Sequence, residues 1–328
     1  MYELAIGAII TALFFDFVNG FHDAANSIAT VVGTRILRPL QAVTLAAIAN
    51  FVGPFVFGVA VATTIGKGLI NPDFVTMNII IGALIGAIVW DLITWLLGLP
   101  SSSSHALVGG VLGAGIAGAG MQAVIFGGLE KVVTGIVVSP VVGLVTAFLL
   151  ATLIITIFAK RRPAKVNSIF GRLQLISATY FSLTHGANDG QKTMGIIALI
   201  LLTEGVITNF EVPFYVILMA ALAISLGTFF GGWRIVKTMA VRITQLKPYQ
   251  GFAAETGGAS ILATLAWLGI PASTTHAISG AIMGAGAVKR MSAVRWGIGK
   301  RIVWAWIITI PASAVVAYVS TLIIDVFV

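Results

Sequence analysis

Cysteine is absent from this 328-residue sequence. Disulfides and thiolate metal sites are therefore excluded. Charge is scarce as well: Asp, Glu, Lys and Arg make up 9% of the chain, against about 25% in a soluble domain. Short segments of alternating hydrophobicity, the mark of a transmembrane barrel, are missing too. The opening MYELAIGAII has an acid and no basic n-region. It reads as the start of an uncleaved first helix rather than a secretory signal.

What is present points to lipid. The hydrophobic fraction is 58% and the mean hydropathy is +1.05. The 37 glycines suit helices that pack backbone to backbone in a bilayer. Apolar runs of about 20 residues recur, long enough to span. Together these predict an all-α polytopic protein of the cell (inner or plasma) membrane. A net charge of +8 would suggest nucleic acid for a soluble protein, but here its distribution describes topology and no nucleic-acid partner is expected. Sixteen of the 19 Lys and Arg residues fall at 35–38, 160–172, 234–247 and 289–301, with no acid among them. The positive-inside rule places these clusters in the cytoplasm. Glu3, Asp73, Glu130, Glu204, Glu211 and Asp325 then lie outside, as do both termini.

Apolar segments are expected over residues 4–32, 40–64, 74–97, 105–120 and 132–159, then 173–202, 213–233, 252–268, 276–288 and 302–327. The stretch 233–248 mixes basic and apolar residues and reads as a surface amphipathic helix. The pattern divides the chain into a first repeat (1–160, broken near 98–105), a cytoplasmic basic linker (161–172) and a second repeat (173–328, broken near 269–276).

The halves repeat. GLPSSSSHALVGGVLGAG (98–115) and GIPASTTHAISGAIMGAG (269–286) are identical at nine of 18 positions. A second match sets Gly20-Phe21-His22-Asp23 against Gly186-Ala187-Asn188-Asp189, with Asn26 opposite Lys192. The first half starts outside and the second inside. An inverted-topology repeat follows, which points to a secondary transporter with a midplane site.

Each Pro/Ser-rich break starts a new helix, because Pro tolerates the first turn and Ser or Thr caps it. The unpartnered N–H groups and the helix dipole at Ser102–Ser104 and Ser273–Thr275 favour an anion. Asp23 and Asp189, with Asn26, Asn188 and nearby hydroxyls, form a hard-oxygen set suited to Na⁺, H⁺ or Mg²⁺. Asp189 can instead pair with Lys192; Asp23 has Asn26 in that place and no basic neighbour is expected. An anion about 5 Å from two carboxylates is repelled by roughly 3 kcal/mol per pair at an effective dielectric near 20. Cations must neutralise the aspartates first, which is the logic of symport. His105 and His276 read as capping or packing residues. A channel would need a continuous polar stripe. An intramembrane hydrolase using Ser104–His105 or Thr275–His276 fails because adjacent helix residues do not face each other.

GFHDAAN (20–26), HGANDGQKTMG (185–195), PSSSSH (100–105) and PASTTH (271–276) resemble the signatures of the PiT family of inorganic phosphate transporters. The resemblance implies symport of phosphate with Na⁺ or H⁺, an all-α inverted-repeat fold with two re-entrant helical hairpins, no cofactor, and a homodimer with elevator-like motion. By motif, Asp23, Asn26, Asn188 and Asp189, with the Ser102 and Ser273 oxygens, hold the cation. Ser103, Ser104, Thr274, Thr275, Gln191 and Lys192 face phosphate. Glu255 and His185 are accessory. His22 stands where the family has Asn, and Asp91 where Asn is common. The expected activity is Na⁺-coupled import of phosphate. Proton coupling, a neutral metal–phosphate complex and sulfate are the alternatives.

Overall fold

The computed structural model describes residues 2–327. Met1 and Val328, the ends to which the expectation of two outer termini refers, lie outside the described residues. Twelve α-helices make up the fold among the described residues: α1 (Tyr2–Gly33), α2 (Pro39–Phe57), α3 (Ala60–Gly68), α4 (Met77–Leu97), α5 (Ser103–Ala119), α6 (Phe126–Ile157), α7 (Pro163–Thr203), α8 (Phe214–Phe230), α9 (Trp233–Lys237), α10 (Pro248–Trp267), α11 (Thr274–Ala287) and α12 (Trp296–Phe327). Helix is the form that satisfies backbone groups within a single apolar segment, so these runs adopt it. α1, α2, α4, α6 and α12 are each long and apolar enough to cross a membrane. α8 and the segment Trp233–Arg242, bent by 57° at Gly231–Gly232, make a sixth candidate if the pair is one span.

The two breaks fall where the sequence repeats. α4 ends at Gly98 (φ 63°), and the α10–α11 connection turns at Gly269 (φ 66°). Both are left-handed positions that favour glycine. Ser102 and Ser273 then cap α5 and α11, accepting from the N–H of His105 at 3.3 Å and of His276 at 3.2 Å.

Packing crosses the midpoint of the chain. α12 lies against α4 and α5, while α6 lies against α10 and α11. α8 packs on α1, and α2 on α7. Each half therefore covers the other's hairpin and its long first helix. The α1–α8 and α2–α7 crossings are close because they are lined by glycine. A methyl group at Gly20 would overlap the Ile224 carbonyl, and one at Gly186 would overlap Asn50.

Two apolar clusters result. One holds Ala5 to Val18 of α1 and Met194 to Leu201 of α7; the other holds Ala25 to Val31 of α1 and Phe170 to Phe181 of α7. Between them both helices carry a polar layer, so the chain's polar stretches lie where the clusters meet.

Three expectations change. The segment expected at 40–64 is broken at Gly58 (φ 75°) into α2 and α3. The basic linker is helical from Pro163, a residue that fits a first helical turn, so α7 runs for 41 residues. The stretch expected as a surface helix at 233–248 is a short helix and a π-helical turn whose Ile235, Val236, Met239 and Ala240 are buried in the second cluster. Its basic residues Arg234 and Arg242 stay exposed while its apolar side packs inward.

Candidate functional site

α1 presents Asn19, His22, Asp23 and Asn26 on one face, since residues three and four apart align on a helix. α7 presents His185, Asn188, Asp189 and Lys192 with the same spacing. All eight are buried. The starts of α5 and α11 bring Ser103, Ser104, Thr274 and Thr275 to these faces.

The bonds join both halves. Ser103 Oγ donates to Asp23 Oδ2 at 2.9 Å and Asn19 Oδ1 at 2.6 Å. Asn26 Nδ2 donates to Thr275 Oγ1 at 2.9 Å and Thr274 Oγ1 at 3.2 Å. Thr274 Oγ1 donates to Asp189 Oδ2 at 3.0 Å. Thr275 Oγ1 lies 3.4 Å from Asp23 Oδ1. Lys192 Nζ donates to Asp189 and to Ser104. His185 Nε2 lies 3.1 Å from Asp189 Oδ2.

Asp23, His185 and Asp189 each offer one ligand atom, and these atoms lie within 4.8 Å of one another. Two carboxylates thus share a buried space with one lysine. The side-chain carbonyls of Asn26 and Asn188 meet no hydrogen-bond partner in the protein. Paired carboxylates with free carbonyl oxygens suit a hard cation. Beside them the first turns of α5 and α11 converge: Ser104 Oγ lies 3.4 Å from the Ala272 carbonyl. The first intrahelical bonds there are donated by Ala106 and Ala277. The His105 and His276 N–H groups before them are taken by the Ser102 and Ser273 caps, but those of Ser103, Ser104, Thr274 and Thr275 have no helical acceptor, and an anion can take them.

Other expected residues sit differently. Ser102 and Ser273 are occupied as helix caps. Asn188 Nδ2 donates to the Thr184 carbonyl at 2.9 Å and the Leu262 carbonyl at 3.4 Å. Gln191 Oε1 accepts from the Val61 N–H at 2.8 Å, tying α7 to α3. Glu255 accepts from Gln174 at 3.0 Å and from Ser177, on a separate part of the α7–α10 contact.

Asp23 does have a basic neighbour, contrary to expectation: His22 Nδ1 lies 2.6 Å from its Oδ1. His22 Nε2 reaches Thr94 at 3.0 Å and Ser101 at 3.4 Å, so the histidine links Asp23 to the first hairpin. Sequence reasoning missed Asn19 and Asn50 as partners. Asn19 lies one turn before Asp23 on the same face. Asn50 lies 3.1 Å from His185 Nδ1 and donates to Thr228 at 2.7 Å. An amide in the apolar second half of α2 was the available signal. His105 and His276 pack edge to face at 4.3 Å, with Trp306 3.8 Å from His276.

Comparison with known proteins speaks to the whole chain. The model of the PHO4 phosphate transporter family matches twice, over residues 19–165 and 158–317. The chain belongs to the phosphate transporter family. It is a multi-pass transporter and not an enzyme. A probable low-affinity inorganic phosphate transporter of Rhizobium meliloti is 54% identical, over 96% of this chain and 95% of that one. A protein of the same description from Bacillus subtilis is 42% identical, over 98% and 97%. A solved structure described as the sodium-dependent phosphate transporter superposes with a TM-score of 0.89 at 27% identity, covering 99% of this chain and 100% of its own. In this phosphate transporter the two family matches divide the chain close to the start of α7, and each supplies one aspartate to the shared site.

Proposed function

We propose that the chain imports inorganic phosphate by symport with Na⁺, binding both between the first turns of α5 and α11. The observation that carries this reading is the convergence of Asp23 and Asp189 in one buried site. Asp23, Asp189 and the Asn26 and Asn188 carbonyls hold the cation. Ser103, Ser104, Thr274, Thr275 and the helix N–H groups hold phosphate. Lys192 bridges the two by touching both Asp189 and Ser104. The roughly 3 kcal/mol repulsion between an anion and each nearby carboxylate makes the ligands bind together. The sodium preference is supported by the oxygen ligands and by the likeness to a structure described as the sodium-dependent phosphate transporter. Gln191 and Glu255 act from outside this cluster, by holding α3 and α10 against α7. Ser102 and Ser273 act by setting the hairpin starts.

α5 and α11 have 17 and 14 residues, about 25 and 21 Å at the usual rise, short of the roughly 30 Å hydrocarbon core. Re-entrant hairpins from opposite sides, related by the inverted repeat, place the site near the midplane. Alternating access is an elevator-like displacement of the hairpins, in a homodimer with both termini outside and the basic loops cytoplasmic.

His22 beside Asp23, and Asp91 with no partner for its carboxylate oxygens, favour proton coupling as the second reading. Reconstituted protein should take up labelled phosphate on an inward Na⁺ gradient. Equal uptake on a proton gradient without sodium would favour the second reading, and equal competition by sulfate would remove the phosphate selectivity.

A further inference from the structure

The basic end of the molecule carries a second polar site, distant in kind from the one just described. A cavity of about 560 Å³ lies between the last turn of α6, the first turns of α7 and α10, and the chain just after α11. Arg161, Lys247 and Lys289 line it, and no Asp or Glu does. Phe158 and Val166 are among its apolar walls. A smaller cavity of about 170 Å³ shares Phe158, Arg161 and Val166 and adds Lys165 and Ile169. The pair forms a groove lined by Arg161, Lys165, Lys247 and Lys289 with an apolar flank.

Three features ask for an anion there. α7 and α10 both begin at the cavity, so two helix dipoles point their positive ends toward it. Burial, and then the ammonium of Lys247, lower the Lys289 pKa below the usual lysine value, as expected for like charges held together. Most telling is Tyr249. It is only 6% exposed, it lines the cavity, and its hydroxyl meets no hydrogen-bond partner in the protein. A buried hydroxyl without a partner is costly, so a ligand atom that accepts from it is favoured.

We propose that this groove binds an anionic phospholipid, with its phosphate between Lys247, Lys289 and the Tyr249 hydroxyl and an acyl chain along Phe158, Val166 and Ile169. A free phosphate would satisfy the charges but leave the apolar flank uncovered, and basic pockets between membrane helices suit such headgroups. The lipid would tie the junction between the chain's halves to the start of α10 and the end of α11.

The test is native mass spectrometry of the purified full chain with added phosphatidylglycerol, phosphatidylcholine or inorganic phosphate. One phosphatidylglycerol should be retained per chain in preference to phosphatidylcholine. K247Q/K289Q should weaken retention about 30-fold, from roughly 1 kcal/mol per cation near an anionic headgroup. Y249F, which changes no charge, should weaken it about tenfold, as for a hydrogen bond to a charged acceptor. R290Q/R301Q removes the same charge outside the groove and should leave retention unchanged. Undiminished retention in K247Q/K289Q and Y249F overturns the site. Equal loss in R290Q/R301Q overturns it in favour of diffuse attraction. Binding of inorganic phosphate through the same residues as tightly as the lipid overturns the lipid assignment.

Discussion

Asp189 and Lys192 are three residues apart on α7 and pair with each other in the middle of the protein. Taken alone, the pair could be a self-contained ion pair with no further role. Lys192 also donates to Ser104 at the start of α5, and Asp189 accepts from Thr274 at the start of α11. Each partner therefore reaches a different hairpin. Removing one member of a buried pair leaves the other uncompensated. Lys192→Gln should lower stability by about 3 kcal/mol, and Asp189→Asn with Lys192→Gln should restore most of it. Thermal unfolding of the detergent-purified protein reads both, and an unchanged melting temperature in the single variant would mean the pair contributes nothing. Asp23→Asn should abolish Na⁺-driven phosphate uptake while the protein stays folded. Asn19 retains its bond to Ser103 in that variant, so near-normal uptake would remove the cation role of Asp23.

Elements meet where glycine allows. Gly186 lies one turn before Asp189 on α7, and its missing side chain lets α2 approach until Asn50 can reach His185. Gly20 does the same for α1 against α8. These two glycines are repeat partners, so the close crossings sit at corresponding places in the halves. Gly186→Ala should cost about 1–3 kcal/mol, the usual range for overpacking. Gly7 is in α1 with nothing near the place a methyl would occupy. Gly7→Ala should be neutral or stabilising by up to about 1 kcal/mol, because alanine orders a helix more cheaply. A melting-temperature comparison of the two variants separates packing from propensity; equal shifts would discard the close-crossing argument.

At the scale of the whole molecule the halves interlock. α6 covers the second hairpin and α12 the first. Residues 1–160 and 161–328 expressed separately should each fail to give a stable protein, because each lacks the helix that covers its hairpin. Co-expression should restore phosphate uptake, and a stable half on its own would contradict the packing. The absence of cysteine makes topology directly readable. A cysteine placed at Glu204 should react with an impermeant reagent from outside, and one at Arg161 from inside. The reverse pattern would invert the proposed orientation.

Membrane class, helical content and the unusual polar stretches were legible along the chain, because each depends on residues close together in sequence, and the internal repeat because its motifs recur as written. Apolar length reveals a helix, and a repeated GxPxSxxHA pattern reveals two equivalent helix starts. Asp23 and Asp189 stood out because buried carboxylates are costly. The choice of partners was decided only by the folded chain. Asn26 meets Thr275 across 249 positions, whereas Gln191, beside Lys192, turns away to α3. Ser102 looked like its neighbours Ser103 and Ser104 but is consumed as a cap. A polar residue in an apolar helix announces that it must find a partner. Which partner it finds depends on the angle and closeness of helices brought together from distant parts of the chain, and no local pattern carries that information.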